Sequence, residues 1–146
     1  MYMTDTLHKS ERLNKKKIIE RMFAGGAHSF SIFPLRVVYL CVEDLDAPVA
    51  ILISVSKRRF KRAVKRNRVK RQLREAFRKN KHSLVTLIQD RNEKLVIGFI
   101  YLADRLSESS ELEEKMRIAL MRIEENISSE KVLPVLEKPS DSVQIN

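Results

Sequence analysis

Apolar positions along this 146-residue chain fall into six blocks, and the blocks repeat with two different periods. Between about Lys9 and Ala24, Leu13, Ile19, Met22 and Phe23 recur at near-helical spacing among charged residues, and Gly25-Gly26 ends the pattern. A polar-aromatic connection, Ala27 to Phe33, follows, and Pro34 opens the next element. Leu35–Val42, Val49–Ser56 and Leu95–Leu102 are rich in β-branched and aromatic residues and read as strands. The first two flank a short acidic turn, Glu43 to Pro48, which suits an antiparallel hairpin. In the second, Val49, Ile51, Ile53 and Val55 alternate with Ala50, Leu52, Ser54 and Ser56, so its odd-numbered side is expected to be the drier one.

Helical periodicity returns twice. At about 100° per residue, Val69, Leu73, Ala76 and Phe77 share one narrow arc, while Asn67, Arg68, Lys70, Arg71, Arg74, Glu75 and Arg78 cover the other side. Arg66 falls beside the apolar arc, either at the rim of the core contact or ahead of the regular helix. Further on, Ser110-x-x-Glu113 has the form of a capping box, with Glu111, Glu113 and Glu114 where the helix dipole favours anions. Leu112, Met116, Leu120, Ile123 and Ile127 then make a continuous stripe. Beyond Ser129, two prolines and no periodicity predict a loose tail to Asn146. The expected organisation is a flexible segment over 1–7, one domain over 8–128 and a disordered tail over 129–146. The order helix–strand–strand–helix–strand–helix indicates an α/β two-layer sandwich.

Charge changes this picture, because it is not spread evenly. The chain carries a formal +10. Lys57 to Lys81 holds 14 basic residues and one acid, Glu75, or +13; the other 121 residues hold 15 basic and 18 acidic groups, or −3. So concentrated a segment is the footprint of a polyanion partner. Arginine predominates in its centre, and the planar guanidinium fork matches phosphate in a way that solubility alone does not require. A lipid-binding helix would keep a bulky apolar face free, whereas here that face is small and the strands need a cover. Nucleic acid is therefore the expected partner. No helix-turn-helix or finger signature points to DNA readout, and the preference is for a structured RNA.

Other chemistry is hard to find. His8, His28 and His82 match no metal-binding spacing, the single Cys41 removes every cysteine-based zinc pattern, and no metal site in the protein is expected. There is no glycine-rich phosphate loop and no serine in a nucleophile elbow. No run approaches the roughly 20 apolar residues of a membrane helix, and no secretory leader is visible. The expectation is a soluble cytoplasmic protein without a self-contained catalytic site.

The basic segment resembles a known signature. Ser54-Val55-Ser56-Lys57, followed by Arg62-Ala63-Val64-Lys65-Arg66-Asn67-Arg68-Val69-Lys70-Arg71 and then Arg74-Glu75-Ala76-Phe77-Arg78, is similar to the central motif of bacterial ribonuclease P protein subunits. Glu11-Arg12-Leu13 and Phe23 resemble the family's opening and the end of its first helix, and the likeness extends over about residues 8–127. The resemblance implies a small α/β sandwich with a left-handed crossover through the basic helix. It also implies a subunit that assists a catalytic RNA in removing the 5′ leader from precursor tRNA and broadens substrate specificity, with Mg2+ held by the RNA and no catalytic residue in the protein. By resemblance, Lys57, Arg62, Arg66, Asn67, Arg68, Lys70, Arg71 and Arg74 contact the catalytic RNA. Asn67 could equally cap the helix. Ile19, Phe23 and Tyr39 correspond to a cleft for the single-stranded leader, though each could equally be a core residue. Ile19 stands where many relatives carry phenylalanine, and Arg105 is the nearest basic residue to the end of the third strand. Neither a membrane nor an obligate protein partner is implied. The competing reading is a structural RNA-binding protein such as a ribosomal component. A protein-only nuclease is disfavoured by the lack of clustered carboxylates or an acid–base histidine.

Overall fold

The strand with the most continuous apolar run takes the interior of the sheet. In the computed structural model, which describes residues 16–43 and 45–132 (side chains to 129), Leu95–Tyr101 is buried on both faces along nearly its whole length. The elements are α1 (Lys16–Phe23), β1 (His28–Ile32), β2 (Leu35–Cys41), β3 (Val49–Val55), α2 (Ala63–Asn80), α3 (His82–Asp90), β4 (Leu95–Tyr101) and α4 (Ser109–Val132). The sheet order is β1-β2-β4-β3, with β4 antiparallel to β2 and parallel to β3. A two-sided apolar strand needs neighbours on both edges, and β4 is the one that fits that place.

Three expectations change. The predicted hairpin of β2 with β3 does not form, because β4 lies between them; the acidic turn reverses the chain without pairing its flanks. The hairpin lies one element earlier, where β1 pairs with β2 across the Phe33-Pro34 turn. The stretch 27–33, expected as a connection, thus contains an edge strand. Its alternating His-Ser-Phe-Ser-Ile pattern is too short and polar to register as an apolar run. Finally, α3 adds a helix between the basic helix and β4, anchored by buried Leu84, Val85 and Ile88.

The predicted stripes are otherwise where expected. Val69, Leu73, Ala76 and Phe77 of α2 are buried, as are Leu112, Met116, Leu120, Ile123 and Ile127 of α4. They cover the sheet face formed by the odd-numbered residues of β2, β3 and β4, and Phe77 packs on Phe99 with ring centroids 6.5 Å apart. α4 starts one residue before the predicted cap, with the Leu112 amide donating to the Glu108 carbonyl, so Ser110 lies inside the first turn. Its helical backbone runs on to Val132, past the expected start of the tail, whereas 1–15 and 133–146 lie outside the described residues, as does Leu13 of the predicted first helix. No helix among the described residues is long and apolar enough to cross a membrane.

Among the described residues the opposite face of the sheet has one helix as its cover, α1. Ile18 and Met22 seal it over Val38, Ala50 and Val96. Gly98 leaves room for that contact, since a Cβ there would come within 3.1 Å of Met22 Cε and 3.9 Å of Phe23 Cζ. The strand register aligns a further row across this face, Ser31–Arg36–Ile100–Ser54, in which Ile100 is half-buried and the other three are exposed.

The two sides of α2 should respond differently to truncation. Leu73→Ala is expected to lower the unfolding free energy in urea by about 2–5 kcal/mol. Val64→Ala, at a side chain 78% exposed, should stay within about 0.5 kcal/mol of the parent.

Candidate nucleic-acid interface

α2 opens without the features that usually stabilise a helix start. Arg62 occupies the cap position with no side-chain cap bond, and the first turn contains no acid. Lys57, Arg58, Arg59, Lys61 and Arg62 precede it instead, and Lys65 stands in its first turn. The exposed amides of a helix N-terminus already carry positive partial charge, so this end repels itself and favours an anion.

Arg66 settles its two alternatives: it lies within the helix, half-buried, and its Nη1 donates to the carbonyls of Phe60 and Lys61, both at 2.8 Å. The guanidinium thereby staples the approach loop to the first turn. Asn67 lies inside α2 and is exposed, which removes the capping alternative.

Several cations of the basic segment are neutralised within the protein. Arg78 grips both carboxylate oxygens of Glu75, with Nε to Oε1 at 3.0 Å, and this hydrogen bond holds the Glu75 carboxyl below its ordinary pKa. Arg59 pairs with Asp104 at 2.8 Å and Lys79 with Glu113 at 3.8 Å. By contrast Lys57, Arg58, Lys61, Arg62, Lys65, Arg68, Lys70 and Arg71 have no carboxylate partner among the described residues. All but the half-buried Lys70 are exposed. Of the predicted contact residues, then, Lys57 and Arg62 lie open in the approach loop, and Asn67, Arg68, Lys70 and Arg71 lie open or half-open in the first half of α2. Arg74 is half-buried one turn further along, and Arg66 is partly committed to the loop. Arg58, Lys61 and Lys65 are exposed in the same stretch; the +13 window contained all three, and the motif run contained Lys65, but none was named as a contact residue.

Where the approach loop meets the loop after β4, Arg59–Arg62 and Lys65 face Asp104–Leu106 across an open hollow of about 450 Å³. Tyr101 fixes that second loop, its hydroxyl donating to the Arg105 carbonyl at 2.7 Å.

The three predicted leader residues do not come together. Ile19 and Phe23 lie on α1, with Ile19 packed at the edge of the small core and Phe23 51% exposed. Tyr39 is on the other face of the sheet, 3% exposed, with its hydroxyl accepting from Asn126 Nδ2 at 3.1 Å and its ring stacked on His28. One residue of register decides this, because adjacent strand residues point to opposite faces. On α1's side the neighbours are exposed Arg36 and Ser54 and half-buried Ile100, a row the sequence does not reveal because it exists only across three paired strands.

Arg66→Ala removes two charge-assisted bonds that close the loop onto the helix. It should cost about 1–3 kcal/mol of stability in denaturant titration. Arg68→Ala, which breaks no internal bond, should leave the transition unchanged.

Comparison with known proteins agrees with this geometry. A family model described as Ribonuclease P matches residues 7–124. A ribonuclease P protein component from Porphyromonas gingivalis (strain ATCC 33277) is 45% identical over 124 residues, covering 84% of this chain and 90% of that protein. One from Chlorobium phaeobacteroides is 31% identical over 131 residues, covering 84% and 88%. Among solved structures, a mutant of the Staphylococcus aureus RNase P protein superposes with a TM-score of 0.60 at 23% identity, over 79% of this chain and 88% of that one, which supports the fold. The ribosomal alternative is not favoured. The chain belongs to the ribonuclease P protein family, the protein subunits of the tRNA-processing endoribonuclease in which RNA is the catalyst.

Proposed function

We propose that the open cations of the approach loop and α2 dock this subunit on the catalytic RNA, and that α1's side of the sheet holds the 5′ leader of precursor tRNA. The observation that carries the first part is the set of eight cations without carboxylate partners among the described residues, in the approach loop and the first half of α2. Phosphates brought together in a folded RNA repel one another, and Mg2+ bound by the RNA relieves that repulsion. Cations supplied by the protein lower the concentration of Mg2+ needed, because each phosphate they neutralise is one fewer for the metal to screen. The chain supplies no acid–base group to the cleavage in this reading; it binds and aligns. Its setting is the cytoplasm, where the exposed thiol of Cys41 stays reduced.

The leader reading rests on Phe23 and the aligned row Ser31–Arg36–Ile100–Ser54. Phe23 lies over Gly98 with an exposed ring able to stack on a base. Arg36 offers a charge for the backbone, and Ser54 leads through Ser56 to Lys57, so leader and catalytic RNA would meet at one edge. Binding the leader as well as the catalytic RNA would widen the range of precursors accepted.

Reconstitution tests the function directly. The protein alone should leave precursor tRNA intact, and added to a cognate catalytic RNA at low Mg2+ it should restore 5′ cleavage; no rescue at any Mg2+ concentration overturns the proposal. For the leader, Phe23→Ala and Arg36→Ala should each weaken binding of leader-bearing precursor to the assembled particle by about 3–10-fold while sparing mature tRNA. Tyr39→Phe should leave both affinities unchanged. Equal losses on precursor and mature tRNA would return Phe23 to a packing role.

A further inference from the structure

The carboxamide of Gln72 is held in one orientation by bonds that use both of its protons. Its Nε2 donates to Ser109 Oγ at 2.9 Å and to the Ser107 carbonyl at 3.1 Å, which ties α2 to the start of α4. Turning the amide over would set its oxygen against the Ser107 carbonyl, so Oε1 cannot exchange places with Nε2. Oε1 is buried and accepts no hydrogen bond among the described residues. Buried acceptors are ordinarily matched by a donor.

The surroundings indicate where a donor would come from. Gln72 lines a notch of about 430 Å³ with Arg68, Arg71, Glu75 and Ser109. Arg68 and Arg71 are exposed and pair with no carboxylate among the described residues, since Arg78 occupies Glu75. The notch therefore presents two guanidinium groups suited to a phosphate, above a fixed acceptor that calls for a hydrogen-bond donor. In RNA the two requirements are met by one nucleotide, whose 2′-hydroxyl lies next to its 3′ phosphate and can donate; DNA lacks that donor.

We propose that the notch between α2 and the start of α4 seats one backbone nucleotide of the catalytic RNA. Arg68 and Arg71 hold its phosphate, and Gln72 Oε1 accepts from its ribose 2′-hydroxyl. In the free protein Oε1 is buried, and the bond requires the groups over it to move aside as the RNA docks. Gln72 is in this way the residue that distinguishes RNA from DNA on a surface whose other contacts are largely charge. The proposal rests on reading α2 as the RNA-docking face, and its test separates the two.

Affinity for the catalytic RNA is measured with single 2′-deoxy nucleotides placed one at a time through the region the protein protects. Wild-type protein is expected to lose about 3–10-fold at one such position, the worth of one hydrogen bond. Gln72→Met, of similar shape without the acceptor, should bind unmodified RNA more weakly by the same factor and show no penalty at that position. A wild-type scan without any sensitive position, or the same penalty retained in Gln72→Met, overturns the notch. The scan on wild-type protein decides the matter even where the variant folds poorly. The docking reading fails separately: Arg68→Ala and Arg71→Ala would then bind RNA as tightly as the parent, with an unchanged salt dependence in place of a slope reduced by about 0.7–0.9 per lost contact.

Discussion

Four apolar side chains, Val69, Leu73, Ala76 and Phe77, hold down the most highly charged element of this protein. Of the other fourteen residues of α2, eight are cations and one is an acid, and a helix of that composition has little reason to form or stay put alone. Burying this stripe against the sheet and α4 gives the helix its place. It also sets the azimuth of every arginine on it. The open face for RNA is the complement of a packing decision, so specificity on the outside depends on the fit of Phe77 against Phe99 within.

The charged surface is selective because part of it is already neutralised. Glu75, Asp104 and Glu113 engage Arg78, Arg59 and Lys79, and the Arg66 guanidinium is drawn onto backbone carbonyls. What remains uncompensated lies in the approach loop and the first turns of α2. Exposed ion pairs of this kind add little stability. Their effect is to concentrate the unmet charge where the helix dipole already favours anions. A bound polyanion relieves the repulsion among these groups, so binding and stability rise together.

The sheet separates the two proposed partners. Its odd-numbered face is sealed by three helices, and among the described residues its other face is covered by α1 alone, which leaves one aligned row largely exposed. Gly98 is central to this asymmetry: it lets Met22 and the ring of Phe23 approach the middle strand closely. The end of that row leads along β3 toward Lys57, which brings the two regions proposed to face RNA to a shared edge.

Much of this was legible in the residues themselves. The stripes of α2 and α4, the three apolar strands, the dry side of β3 and the concentration of charge all follow from periodicity and local composition, which are properties of neighbours along the chain. The family likeness rested on a run of contiguous residues for the same reason. The tertiary structure alone decided that β4 enters between β2 and β3, that His28–Ile32 is a strand, that Tyr39 faces away from α1, and that Arg66 is shared with a loop while Arg68 is not. Each of these turns on a partner distant in sequence: a strand's neighbour, the parity of a register, a carbonyl or carboxylate brought near by folding. Local pattern states what a segment can bury, and only the assembled sheet and helices determine against what.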